Sequence, residues 1–207
     1  MSKRLAFFAA KEDAEEGLGI STDRENLFKP EYNITPGMHI PVVVKLDGEK
    51  TYKRLKWGDT SGGDAFISVE KAREELKNGK CERSAVLASG FFVWKGDREK
   101  GFPFFVRLLN SPLVPLAAVV YSEDNDHSHF RIVEGESNVL VQPMSETMPV
   151  MLNKEYFEKW LDNEQDSSVL EKAGKQFQLT DMSVMRVSKK VNDPKNNAPE
   201  LVQPIPK

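Results

Sequence analysis

The densest charge pattern in this 207-residue chain runs through Lys45, Lys50, Lys53, Arg54 and Lys56, with Tyr52 and Trp57 set among the cations. Basic side chains at such spacing track backbone phosphates and aromatic rings stack on bases, which is the chemistry of single-stranded nucleic-acid binding. The competing reading, which lone charge runs favour, is a half-buried strand with a solvated lysine face. Arg186, Lys189, Lys190 and Lys195 form a second basic cluster open to the same two readings. His127 and His129 beside Asp124 and Asp126 imitate a metal site. No further histidine or cysteine arrives at ligand spacing, so a polar turn is expected and no metal is assigned. His39 reads as a strand-end packing residue. Cys81 lies between Lys80 and Arg83, where a thiol near cations gains reactivity, although an inert loop cysteine is the default. No phosphate-cradling glycine loop, Ser–His–Asp order or carboxylate pair stands out, and no cofactor is assigned.

These groups must be held by a mostly β framework. Arg83–Trp94 and Phe102–Arg107 read as two apolar strands joined by a turn-rich loop, and the six aromatics between Arg83 and Arg107 make this hairpin the wall of the core. Residues 4–10 read as a buried strand and 11–17 as an acidic turn or short helix. Ile40–Val44 and Thr51–Trp57 are strands joined through the hairpin signal Asp47-Gly48. A helix is predicted over Val69–Lys77, capped by Ser68 and stopped by Asn78-Gly79. Further strands are predicted at Leu113–Tyr121, His129–Val133 and Asn138–Val141. Asn153 caps a helix that puts Phe157, Trp160 and Leu161 on one face, and another short helix falls within 162–180. From about Val187 the tail, rich in Asn, Pro and Lys, reads as extended over the surface or across a groove. With few helices and no βαβ alternation, the fold class is α+β, with a largely antiparallel, barrel-like sheet and short peripheral helices.

The length suits a single domain spanning 1–207. A net charge of −3 supplies no global basic field, so any nucleic-acid site must be a local patch. One cysteine rules out an intrachain disulfide and fits a reducing cytoplasm. The apolar run Leu5–Ala10 is too short for a signal peptide or a membrane span, so no membrane partner is expected.

In order along the chain, Met1-Ser2-Lys3-Arg4, Glu31-Tyr-Asn33-Ile-Thr-Pro-Gly37, Trp57-Gly58, Ala88-Ser-Gly-Phe-Phe-Val93-Trp94, Ser145-Glu-Thr147-Met-Pro-Val150 and Val187-Ser-Lys-Lys-Val to Glu200-Leu-Val-Gln-Pro204 resemble the motifs of the SRAP family, the SOS-response-associated, abasic-site DNA-crosslinking proteins. The resemblance implies an SRAP-like fold and a site in which an N-terminal cysteine, exposed by loss of Met1, condenses with the abasic aldehyde to give a thiazolidine. A glutamate and a histidine move protons there, an asparagine positions the sugar and arginines hold phosphates. In this chain Ser2 stands at the nucleophile position, Val93 at the glutamate and Ser145 at the histidine. The asparagine position falls on Asp64 or Ser68, the arginine after it on Phe66 or Glu70, and the second arginine on Thr147. Arg4 and Asn33 remain.

A serine hydroxyl closes such a ring far less readily than a thiol, and neither valine nor serine does acid–base work at neutral pH. The expectation is a catalytically degenerate SRAP-like protein of a bacterial or phage damage response. It would bind single-stranded or abasic DNA non-covalently through Arg4, Asn33, Asp64, Lys53, Arg54, Trp57 and Thr147. One alternative is a protein-interaction or inhibitor module, since Val93, Phe66 and Thr147 make the old site more apolar. Another is weak Schiff-base lyase chemistry at the Ser2 α-amine.

Overall fold

The computed structural model describes residues 4–22, 25–59, 64–96, 101–122, 128–162, 168–175, 177 and 179–205. In chain order the elements are β1 Arg4–Phe7, α1 Lys11–Leu18, β2 Glu31–Ile34, β3 His39–Leu46, β4 Glu49–Trp57, β5 Phe66–Ser68, α2 Val69–Lys77, β6 Glu82–Ala88 and β7 Gly90–Lys95. They continue with β8 Phe102–Leu108, β9 Val114–Tyr121, β10 His129–Glu136, β11 Thr147–Pro149, α3 Lys154–Leu161, α4 Val169–Gly174 and β12 Met182–Arg186. Two sheets form. One is antiparallel in the order β12-β8-β7-β1-β2; the other runs β11-β10-β4-β3-β6-β9, with β5 on β10. Because β10 also pairs with β9, the strands β10, β4, β3, β6 and β9 close a partial ring rather than a full barrel.

Local chemistry explains most of the boundaries. Asp47 and Gly48 both take positive φ, 50° and 86°, the backbone that a two-residue turn between twisted strands requires. The Ser68 hydroxyl accepts from Lys71 N and the Asn153 side-chain Oδ1 from Tyr156 N, capping α2 and α3 as their sequences demand. Trp160 of α3 donates from Nε1 to the Ser84 carbonyl at 2.7 Å, seating the helix against β6.

The sequence reading of Arg83–Trp94 as one strand is corrected at Ser89-Gly90. Here the chain leaves one sheet and enters the other: β6 pairs with β3 and β9, whereas β7 pairs with β1 and β8. Ser89 makes the crossing possible by donating its N–H to the Ala6 carbonyl at 2.7 Å and accepting from Phe8 N at 2.9 Å through Oγ. Asn138–Val141, read as a strand, is a turn. The Asn138 side-chain oxygen accepts from the backbone of Leu140 and Val141, both at 3.1 Å, a local bond that competes with strand pairing.

The tail is not a loosely applied extended segment. It winds through short 3-10 turns at Lys189–Asn192 and Pro199–Val202. Val187, Val191 and Leu201 are buried with Ala6, Phe92, Trp94 and Phe105 in a second apolar cluster behind the β7–β8 hairpin.

Candidate functional site

Strand periodicity lays out the face on which Val93 sits. Val93 pairs with Phe104, and Phe104 pairs in turn with Arg186 on β12. Two residues further along β7, Lys95 pairs with Phe102. Side chains two apart share a face, so Val93, Phe104 and Arg186 form one cross-strand row and Lys95 with Phe102 the next. Val93 is fully buried and lies in the main core cluster. It offers no titratable atom.

Ser145 is buried, and its hydroxyl donates to the Thr147 carbonyl at 2.7 Å. Thr147 opens β11 and donates from Oγ1 to Glu134 Oε2 on the adjacent β10 at 3.1 Å. Both hydroxyls are therefore committed to local backbone and side-chain acceptors, an arrangement that orders a strand end. Nothing in the sequence singles out Glu134; only strand pairing reveals its carboxylate beside Thr147.

Arg4 and Asn33 are brought together, inside the protein. Arg4 Nη1 donates to Asn33 Oδ1 at 2.7 Å and Nη2 to the Asn192 carbonyl at 2.9 Å. Asn33 Nδ2 donates toward the carbonyls of Asn196, Asp193 and Val191 at 2.8, 3.0 and 3.3 Å. Trp94 Nε1 bonds Asn192 Oδ1 at 2.9 Å, and Tyr32 N bonds Asn197 Oδ1 at 2.6 Å. The two polar residues retained from the family motifs thus fix the C-terminal segment onto β1, β2 and β7.

The basic run on β3 and β4 divides. Lys45 pairs with Asp162 and Lys50 with Glu158 at 2.6 Å, both at α3. Lys53 and Arg54 stay exposed, Arg54 donating to the His39 carbonyl at 2.6 Å. The aromatics among them face inward. Trp57 is fully buried, donates to the Ala65 carbonyl at 2.9 Å and packs edge-on to Phe66; Tyr52 is buried against Phe28. Neither ring has a face open to a base, because the same alternation that makes a half-buried strand turns its large apolar groups to the core. Asp64 is exposed. Ser2 lies outside the described residues, as do Asp124, Asp126 and His127. His129 is buried and stacked on Tyr121 at 4.8 Å. Among the described residues no His, Cys, Asp or Glu side chains gather in threes to hold a metal ion, and no helix is long and apolar enough to cross a membrane.

Cys81 is buried beneath the polar cluster of Glu75, Tyr121 and Arg131. Burial first, and then the Glu75 carboxylate, push its thiol up to about 12. A group that holds its proton more tightly when folded contributes fully to stability below its unfolded pKa of about 8.5 and loses that contribution as pH rises toward the folded value. The melting temperature of the wild type is therefore expected to fall more steeply than that of Cys81→Ala between about pH 8.5 and 10.5. Parallel curves for the two proteins would show that the thiol titrates as in the unfolded chain.

The profile of the family described as SOS response associated peptidase (SRAP) matches residues 1–194. The chain is similar to the abasic site processing protein YoqW of Bacillus subtilis (strain 168), 27% identical over 225 residues, with 98% of this chain and 99% of the relative covered. It is also similar to the abasic site processing protein YedK of Escherichia coli (strain K12), 24% identical over 223 residues, with 99% and 100% covered. Among solved structures, a protein from Bacteroides thetaiotaomicron matches with a TM-score of 0.75 at 17% identity, over 98% of this chain and 99% of that one. A phage-related protein from Bordetella bronchiseptica matches with a TM-score of 0.66 at 21% identity, over 89% and 93%. At these identities the structural likenesses are likenesses of fold.

Proposed function

The chain belongs to the SOS response associated peptidase (SRAP) family, and from that premise we propose that it binds abasic or single-stranded DNA non-covalently in a DNA-damage setting. Its relatives are named for processing abasic sites, which supplies damaged DNA as the partner. The observation that carries the non-covalent part is the environment of position 93. A fully buried valine, paired with Phe104 inside the main core, fills the place where the family resemblance puts a proton-transferring glutamate. Ser145, at the histidine position, gives its one hydroxyl proton to the Thr147 carbonyl. With no acid or base at either of these two positions, ring closure onto an aldehyde loses the proton transfers that such groups contribute, typically about 10²–10⁴-fold in rate. Exposed Lys53 and Arg54 support phosphate contact without chemistry.

The test is a single-stranded oligonucleotide carrying one abasic site, incubated with the protein with and without borohydride and run on native and denaturing gels. A native shift that weakens steeply with salt, with no covalent band, is expected, and Lys53→Glu is expected to weaken the shift several-fold. A covalent band without reductant would overturn the non-covalent reading. A band only with borohydride would replace it with reversible Schiff-base chemistry at an amine. No shift at low salt would remove DNA as the partner.

A further inference from the structure

The face that carries Val93 continues outward to the row of Lys95 and Phe102, and there the character of the surface changes. Phe102 is 41% exposed, among the few large apolar side chains left in solvent. The Arg186 guanidinium lies over its ring, 3.9 Å from the centroid, and Lys189 Nζ lies 5.0 Å from the same centroid. Lys95, the cross-strand partner of Phe102, is exposed, as are Arg186 and Lys189. An aromatic ring stacked with a guanidinium and flanked by ammonium groups is an unusual concentration of positive charge for a molecule of net charge −3.

We propose that Phe102, Arg186, Lys95 and Lys189 form a stacking platform for single-stranded nucleic acid, taking a base on the Phe102–Arg186 pile and the flanking phosphates on the lysines. The chemistry argues for this occupant over an acidic peptide. A carboxylate needs a cation but gains nothing from an exposed ring, whereas a nucleotide presents a π-face and a phosphate a few ångströms apart, matching the ring and the cations together. A base also stacks on a guanidinium plane, so the Arg186 already over the ring extends the platform rather than blocking it. Strand pairing adds position: Arg186 stands in the same cross-strand row as Val93, so the platform lies at the exposed outer end of the face whose inner part buries position 93. The inference rests on the DNA-binding reading above and adds to the exposed Lys53 and Arg54 of β4 a second contact surface at β7, β8 and β12.

The experiment measures binding of a fluorescein-labelled oligothymidylate, without an abasic site, by anisotropy across a salt series. Wild type, Phe102→Ala, Phe102→Leu and Arg186→Glu are compared, each with its melting temperature. Stacking on one aromatic ring is lost in Phe102→Ala, so affinity is expected to fall at least about 5-fold. Phe102→Leu, which keeps an apolar group without a π-face, is expected to fall nearly as far. Arg186→Glu is expected to weaken binding about tenfold or more, because it removes the guanidinium half of the pile and sets a carboxylate beside the bound phosphates. Melting temperatures are expected to stay near wild type, because Phe102 and Arg186 are at the surface. Variants that fold and bind as tightly as wild type would overturn the platform while leaving DNA binding itself standing. A wild type that binds no oligonucleotide would overturn the reading beneath it. A bromodeoxyuridine oligonucleotide adds an independent readout: photocrosslinks on the peptide containing Phe102 support the platform, and crosslinks confined to β4 place the strand elsewhere.

Discussion

Gly90→Ala is expected to destabilise the protein by about 3 kcal/mol or more, the upper range for overpacking a close-packed site. A Cβ built on Gly90 would stand 2.5 Å from Phe105 Cζ, 2.8 Å from Phe105 Cε2, and closer still to the carbonyl oxygen of Val106. Phe105 cannot swing aside freely. Its ring is fully buried, 4.9 Å from Phe92 and 6.4 Å from Phe8. The Val106 carbonyl belongs to β8, which is held on both sides by β7 and β12, so relief by backbone movement would disturb two ladders. Against the roughly 5–15 kcal/mol typical of a domain, such a loss is large. Urea unfolding measures it, and a midpoint within experimental error of wild type would show that β7 and β8 have more room than the geometry gives them. Ser89→Ala at the neighbouring crossing should cost less, because it removes a single acceptor for Phe8 N.

Asn33→Ala is expected to be nearly as damaging, by a different route. The side-chain amide carries two protons and faces three carbonyls, those of Val191, Asp193 and Asn196, while its oxygen accepts from Arg4. Removing it leaves a buried guanidinium with one partner fewer and takes the amide donor away from three backbone carbonyls at a buried to half-buried site. Losing a hydrogen bond to a buried charged group typically costs about 1.5–3 kcal/mol, and leaving a buried carbonyl unpaired adds to it. Because those carbonyls belong to one segment, the effect should be local as well as global. Hydrogen exchange across residues 188–202 is expected to rise well above that of β7, and limited proteolysis to cut there first. If exchange in that segment stays at the wild-type level while the whole protein loses stability, Asn33 acts through β2 alone and the tail is held by its apolar residues.

These two cases also locate what was legible in the sequence. The hairpin signal Asp47-Gly48, the Ser68 and Asn153 caps, and the apolar stripe Phe157, Trp160 and Leu161 could be read because each depends on residues within a few positions of one another. The family motifs were legible as words in order, and the family profile over residues 1–194 agrees with them. The fate of individual site residues was less so. Trp57 among lysines has the composition of a base-stacking strand, yet alternation sends its ring into the core against Phe66 and Phe130. Phe102 carries no binding signal in its own stretch of chain, because the cations over its ring arrive from the far end of the sequence through β12.

By itself the sequence determined the α+β class, most of the strands, the helix caps and the substitutions at 93, 145 and 147, since propensity, periodicity and side-chain chemistry are local properties. Only the tertiary structure decided that one apolar run is two strands in two sheets, that the polar pair Arg4 and Asn33 anchors the C-terminal segment from inside, and that Arg186 lies over Phe102. Each of these depends on which strand pairs with which. That choice is made by the burial of the whole chain's apolar surface and the satisfaction of its backbone hydrogen bonds, neither of which a short stretch of residues contains.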